Sequence, residues 1–154
     1  SGIVTAMVGL LQAIPGTQLY DRMKLAGRLR KEEATGDNVD GTTNIVSLMN
    51  LETLRAGYKH IMEHIYSPKQ YYTRVKTFLK EYQPPRIAPP LRLELLMPFF
   101  RSIFHLGIMG KERFQYWKLL FWTLLHRPQL ITEAVTFAIY GYHFRKVCEL
   151  RLSE

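Results

Sequence analysis

The segment His60-Ile61-Met62-Glu63-His64 has the residue types and spacing for metal-assisted hydrolysis. Two histidines four apart share one face of a helix, and a glutamate beside them can serve as general base, as in the H-x-x-E-H arrangement of zinc proteases. Such a site needs a third ligand, for which Glu133 and Glu149 are only guesses. The plainer reading is a pair of exposed helix histidines beside one of many glutamates. The acidic run Asp37-Asn38-Val39-Asp40-Gly41 lacks the calcium-loop order of oxygen ligands with a closing glutamate, so turns bonded to local backbone explain it better. Neither a phosphate-cradling G-x-x-x-x-G-K-[ST] nor a G-x-S-x-G nucleophile motif occurs. Cys148 is the single cysteine, so this chain alone can ligate neither a cysteine zinc site nor an iron–sulfur cluster, and it forms no internal disulfide. Its neighbours Val147 and Leu150 suit a buried, inert thiol. We therefore expect no catalytic residue, no metal site and no cofactor held by this chain itself. The cysteine usage fits a reducing, cytoplasmic compartment.

The elements that position these residues follow from length and composition. At 154 residues the chain has the size of a single domain, and a hydrophobic fraction of 47% with 22% charged residues excludes wholesale disorder. Twenty-one Lys+Arg against 13 Asp+Glu leave a net charge of +8, a field that attracts anions. The basic residues are scattered, and the densest group, Arg28, Arg30 and Lys31, runs straight into Glu32 and Glu33. That pattern describes a solvated surface, and no nucleic-acid partner is expected. Residues 1–20 carry no charge, yet Gln12 and the Ile14-Pro15-Gly16 break leave too few apolar residues for a membrane span, and no signal-peptide pattern precedes them. The chain opens without methionine and goes directly into apolar sequence, as a piece of a longer protein would.

The run from Ile3 to Leu11 is continuously apolar and reads as a buried strand of the parallel-sheet kind. Pro15-Gly16 turns the chain, Thr17 caps a helix from Gln18 to about Ala26, and Gly27 stops it. No second strand of this kind follows, so the first has nothing in the chain to pair with. In isolation it is expected to pair between molecules, giving a strand-mediated oligomer, or to pack irregularly. From Lys31 to Asn50 the chain is polar and turn-rich. Asn50 caps a helix with Leu51, Leu54, Tyr58, Ile61, Met62 and Ile65 at helical spacing, and Ser67-Pro68 opens the next, with Tyr71, Tyr72, Val75, Phe78, Leu79 and Tyr82 on its apolar face. The proline-rich stretch 83–90 reads as a stiff connector. A third helix is expected from about Leu91 to Met109, kinked or split by Pro98, a fourth from Glu112 to Leu125, and a fifth from Gln129 to Leu150. The aromatic residues of these last helices read most simply as core, with part of them as a docking face. The expected fold is mainly α: an N-terminal strand remnant, a short helix, a long polar loop, then a four- to five-helix bundle. The boundaries fall at 1–30, 31–50 and 51–154.

Three segments in order resemble the end of the catalytic barrel, and the helical region behind it, of radical S-adenosylmethionine enzymes that carry an N-terminal cobalamin-binding domain. Met7-Val8-Gly9-Leu10-Leu11-Gln12-Ala13-Ile14-Pro15-Gly16-Thr17-Gln18-Leu19-Tyr20, followed by Gly27-Arg28-Leu29, is similar to that family's late barrel strand, its P-G-T-x-L-Y turn and its G-R-L. Residues 36–46 resemble its polar loop, and Tyr66-Ser67-Pro68-Lys69-Gln70-Tyr71-Tyr72-Thr73-Arg74 resembles its Y-x-P-x-x-Y-x-x-R segment.

The resemblance implies that the chain is the C-terminal portion of a bacterial, cytoplasmic, Fe–S oxidoreductase-like enzyme whose cofactors are a [4Fe–4S] cluster, S-adenosylmethionine and cobalamin. The family's C-x-x-x-C-x-x-C motif and its cobalamin domain are absent here, so the chain would be silent alone, with the remainder of the parent polypeptide as its partner. By motif position, Gln12 and Ala13 would sit at the barrel mouth near S-adenosylmethionine, and the loop carrying Asn38, Asp40 and Asn44 would face the substrate or cobalamin. The rival expectation is a non-enzymatic helical module that docks on a protein or an anionic membrane surface.

Overall fold

The computed structural model describes residues 2–30, 36, 41–84 and 96–151. As expected, the protein is mainly α-helical. Its helices are α1 (Gln18–Leu25), α2 (Leu51–Tyr66), α3 (Pro68–Glu81), α4 (Leu96–Ser102), α5 (Arg113–His126) and α6 (Ile131–Arg151). A π-helical turn, Ile103–Ile108, continues α4, and a 3-10 turn, Pro128–Leu130, leads into α6. The Thr17 hydroxyl accepts the Tyr20 amide at the start of α1, and Gly27 leaves its end at φ +64°. The Asn50 carboxamide accepts the Glu52 amide at the start of α2. Ser67 precedes α3 without a side-chain capping bond, and Pro68 takes the first helical position. Pro98 is the third residue of α4, and residues 91–95 of the expected third helix lie outside the described residues. The connector expected at 83–90 lies largely outside the described residues.

The run Ile3–Leu11 differs from a true strand. Among the described residues it joins no ladder, and the one β-bridge there is the antiparallel pair Leu29 and Ile45. The physical reason is that a parallel-type strand needs neighbouring strands, and the described residues supply none.

The chain divides into two compact units. The first comprises Ser1–Thr5 and Ile65–Lys146. Its core is built on α3, whose Tyr71, Tyr72, Val75 and Leu79 are buried at i, i+3/i+4 spacing, with Leu106, Tyr116, Leu119, Leu120, Leu130, Ala134 and Ala138. Tyr71 donates its hydroxyl to the Phe137 carbonyl at 2.8 Å, and its ring lies so close to Gly141 that a Cβ there would meet Cε1 at 2.3 Å. The Trp117 indole donates to the Gly107 carbonyl at 2.9 Å and lies over the Cα of that glycine in the π turn. Glu112 and Arg145 form an ion pair with side chains only 5% and 12% exposed. The second unit comprises Ala6–His64 and Val147–Glu154. It holds the candidate site.

Candidate functional site

Within this second unit the chain from Leu11 to Ala13 is extended and bound by side chains of residues 42–44. The Ala13 amide donates to Asn44 Oδ1 at 2.8 Å, and Asn44 Nδ2 donates back to the Ala13 carbonyl at 2.7 Å. A primary carboxamide presents its oxygen and one N–H along a single edge, as a strand residue presents its own C=O and N–H to the residue opposite. Asn44 therefore pairs with Ala13 much as a neighbouring strand would. On either side, the Thr43 hydroxyl donates to the Leu11 carbonyl at 2.6 Å, and Gln12 Nε2 donates to Thr42 Oγ1 at 3.0 Å and to the Thr42 carbonyl at 3.3 Å. Gln12 Oε1 accepts the Gly36 amide at 3.2 Å. Ala13 is fully buried, and Gln12, Thr43 and Asn44 are nearly so. The two Asn44–Ala13 bonds are made away from water, where an unmade one would cost the full desolvation of the group, and the others are partly buried.

Backbone pairing fixes the other edge of the 43–46 segment. The Arg30 amide donates to the Asn44 carbonyl at 2.8 Å, the Val46 amide donates to the Arg28 carbonyl at 2.8 Å, and the Arg28 guanidinium grips the Val46 carbonyl. Tyr58 of α2 completes the support. Its buried ring packs against Gly41, which at φ +70° needs to be glycine, and its hydroxyl donates to the Val8 carbonyl at 3.2 Å. Along residues 6–11 the side chains alternate: Ala6, Val8 and Leu10 are half-buried, whereas Met7 is 80% and Leu11 66% exposed. The segment thus has the period of a strand, with apolar side chains on the face turned to solvent.

The structure therefore brings together three sequence-selected residues, Gln12, Ala13 and Asn44. Asn38 and Asp40 lie outside the described residues. Thr42, Thr43 and Tyr58 are structural partners that the sequence reading did not select; the only signal for them was a β-branched pair directly before Asn44. His60, Glu63 and His64 are exposed on α2, and no group of three His, Cys, Asp or Glu able to hold a metal occurs among the described residues. Burial and the neighbouring Glu149 carboxylate push the Cys148 thiol up, which keeps it protonated and unreactive near neutrality. With one cysteine, the chain does not fit a three-cysteine iron–sulfur cluster. The hydrogen-bonding groups of Gln12, Ala13 and Asn44 described above are already spent on one another's segments. The arrangement shapes polypeptide.

Among the described residues no helix is long and apolar enough to cross a membrane. The model of a family described as a domain of unknown function, DUF4070, matches residues 17–154. An uncharacterized methyltransferase of Synechocystis sp. is 27% identical over 154 residues, a match covering 97% of this chain and 28% of the relative. The chain thus spans less than a third of that relative's length. No solved structure matches it. Since the family model covers nearly the whole chain, including both helical units, the protein belongs to the DUF4070 family.

Proposed function

We propose that this chain is the C-terminal accessory domain of a radical S-adenosylmethionine, cobalamin-binding enzyme of the bacterial cytoplasm, capping the substrate end of its barrel and inactive alone. The observation that carries this reading is the segment 6–13: its side chains alternate between half-buried and exposed over residues 6–11, Asn44 and Thr43 bind its end, it joins no ladder among the described residues, and it presents Met7 and Leu11 outward. Such a segment is finished by neighbouring strands, which the rest of a longer polypeptide would supply. The similarity to a methyltransferase more than three times as long agrees with an accessory part of a larger enzyme.

In this reading the family's cofactors are held by the remainder of the parent, which brings the reductive cleavage of S-adenosylmethionine. The part played by this chain is positional. Asn44 fixes the backbone at Ala13, and Thr42 fixes the Gln12 side chain, so that the segment end and residues 41–46 meet the barrel mouth together. Asn38 and Asp40 are assigned to the substrate side of that loop.

The test is to sequence the coding region upstream and to express the intact protein without oxygen. A C-x-x-x-C-x-x-C motif upstream, with 5′-deoxyadenosine released from S-adenosylmethionine by the intact protein and none by residues 1–154, is the expected result. An intact protein lacking the three cysteines overturns the reading.

A further inference from the structure

Helices α3 and α5 line an open pocket of about 230 Å³ within the first unit, with Tyr72, Thr73 and Lys76 from one helix and Gln115, Lys118 and Leu119 from the other. Its charge is one-sided. Among the described residues neither Lys76 nor Lys118 makes an ion pair, and the carboxylate nearest in sequence to α5, Glu112, is committed to Arg145. Helix α5 contains no acidic residue, and α3 has only Glu81, at its last position. Lys76 is also held in place: its ammonium lies 4.8 Å from the centroid of the Trp122 ring, a cation–π contact that restrains a normally mobile side chain. Burial, then the positive charges of Lys80 and Lys118, pull the Lys76 pKa down, so the ammonium groups sit together at a cost that a bound anion would relieve.

We propose that Lys76 and Lys118, with the Gln115 carboxamide, form a binding site for the phosphate group of an anionic ligand. The chemistry favours phosphate. Two ammonium donors and the N–H groups of one neutral carboxamide suit an anion with several acceptor oxygens, and lysine binds phosphate as a point charge without needing a planar partner. The Thr73 hydroxyl, which donates to the Lys69 carbonyl at 2.7 Å, only lines the wall. The volume exceeds that of a bare phosphate, leaving room for the group that carries it. This site lies outside the Gln12–Asn44 network and does not depend on the enzyme reading above.

The phosphate can come from a soluble compound or from a lipid headgroup, and two titrations of residues 1–154 separate them. One uses inorganic phosphate and the other phosphatidylglycerol vesicles with phosphatidylcholine vesicles as control. Both are read by tryptophan fluorescence and by the amide and side-chain NMR signals of Gln115. Saturable shifts with free phosphate support the site with a soluble ligand, and a response confined to phosphatidylglycerol vesicles supports it with a headgroup. In either case Lys118→Gln, at an exposed position, and separately Lys76→Gln should weaken binding about tenfold, the scale of one lost charge-assisted hydrogen bond. Lys24→Gln on α1 should leave it unchanged. No saturable response to either probe, or a response equal in wild type and both pocket variants, overturns the proposal.

Discussion

Asn44 and Ala13 exchange two hydrogen bonds, at 2.8 and 2.7 Å, that engage both backbone polar groups of Ala13 and both the oxygen and the nitrogen of the Asn44 carboxamide. Thirty-one residues separate them, so the contact closes a loop across the second unit and holds an unpaired segment in the shape of a strand. Asn44→Ala strands a buried N–H and a buried C=O at a residue with no exposure. We expect a loss of about 2–4 kcal/mol in urea unfolding, the sum of two desolvated backbone groups. Hydrogen exchange gives the local readout: the Ala13 amide should lose its protection in the variant, while amides of α3 and α5 keep theirs. An Ala13 amide equally protected in both proteins would show that the carboxamide is not what holds the segment.

The glycines of two helices should respond oppositely to alanine. In α6, Gly141 faces the Tyr71 ring, and an added Cβ would lie 2.3, 2.7 and 2.8 Å from three of its carbons. That ring is anchored through its hydroxyl to Phe137, so it cannot simply swing aside. Gly141→Ala should destabilise the fold by about 1–3 kcal/mol. In α2, Gly57 is exposed with nothing within 4 Å of its would-be Cβ. Gly57→Ala should instead stabilise by roughly 0.5–1 kcal/mol, the helix-propensity difference. Thermal or urea unfolding of the two variants reads both signs.

The Glu112–Arg145 pair joins the start of α5 to α6 deep in the first unit. Glu112→Ala leaves a guanidinium that is 12% exposed without its carboxylate, and should cost about 3–5 kcal/mol. Replacing both residues by methionine removes the uncompensated charge and should restore most of that loss, because a buried pair repays little beyond its own desolvation. A double variant as unstable as Glu112→Ala would mean that the pair contributes through its further bond from Arg145 to the Tyr66 carbonyl.

Much of this architecture was legible in the sequence, for local reasons. Thr17, Gly27 and Asn50 mark helix ends by hydrogen bonds and a positive φ that involve only near neighbours, and they act as expected. The apolar face of α3 was readable because five of its six residues recur at i, i+3, i+4. Less legible was everything set by residues far apart in the chain. Phe100, Phe114 and Phe121, read mainly as core, are 65%, 74% and 57% exposed, and Leu125 is 80% exposed, because an apolar side chain does not itself say which face finds a partner. Tyrosines fill the interior instead: Tyr66, Tyr71, Tyr72 and Tyr116. Gln12 and Asn44 were selected by motif position, but their mutual placement depends on a loop closure that no local pattern encodes.

Those interior tyrosines make the fold sensitive to alkali. Burial is the first cause that raises Tyr72, followed by the Glu112 carboxylate and opposed by Arg145; burial likewise dominates at Tyr71 and at Tyr116, where the hydrogen bond with Ser102 pulls the other way. In the unfolded chain these phenols ionise near pH ~10. Below that pH both states hold the protons and stability is unaffected. Above it the unfolded state releases them first, the folded state binds more protons, and stability falls as pH rises. Tyr72 allows a sharper test, since its buried hydroxyl makes no hydrogen bond among the described residues. Tyr72→Phe removes a desolvated polar group and should raise stability near neutral pH by about 1 kcal/mol. It also removes one of the protons that couple folding to alkali, so the decline above pH ~10 should be shallower than in wild type. Urea unfolding at a series of pH values, followed alongside the ultraviolet band of tyrosinate, measures both effects. A destabilised Tyr72→Phe protein, or an unchanged alkaline slope, would show that the hydroxyl is bonded in solution, the adjoining Glu112 carboxylate being the natural acceptor.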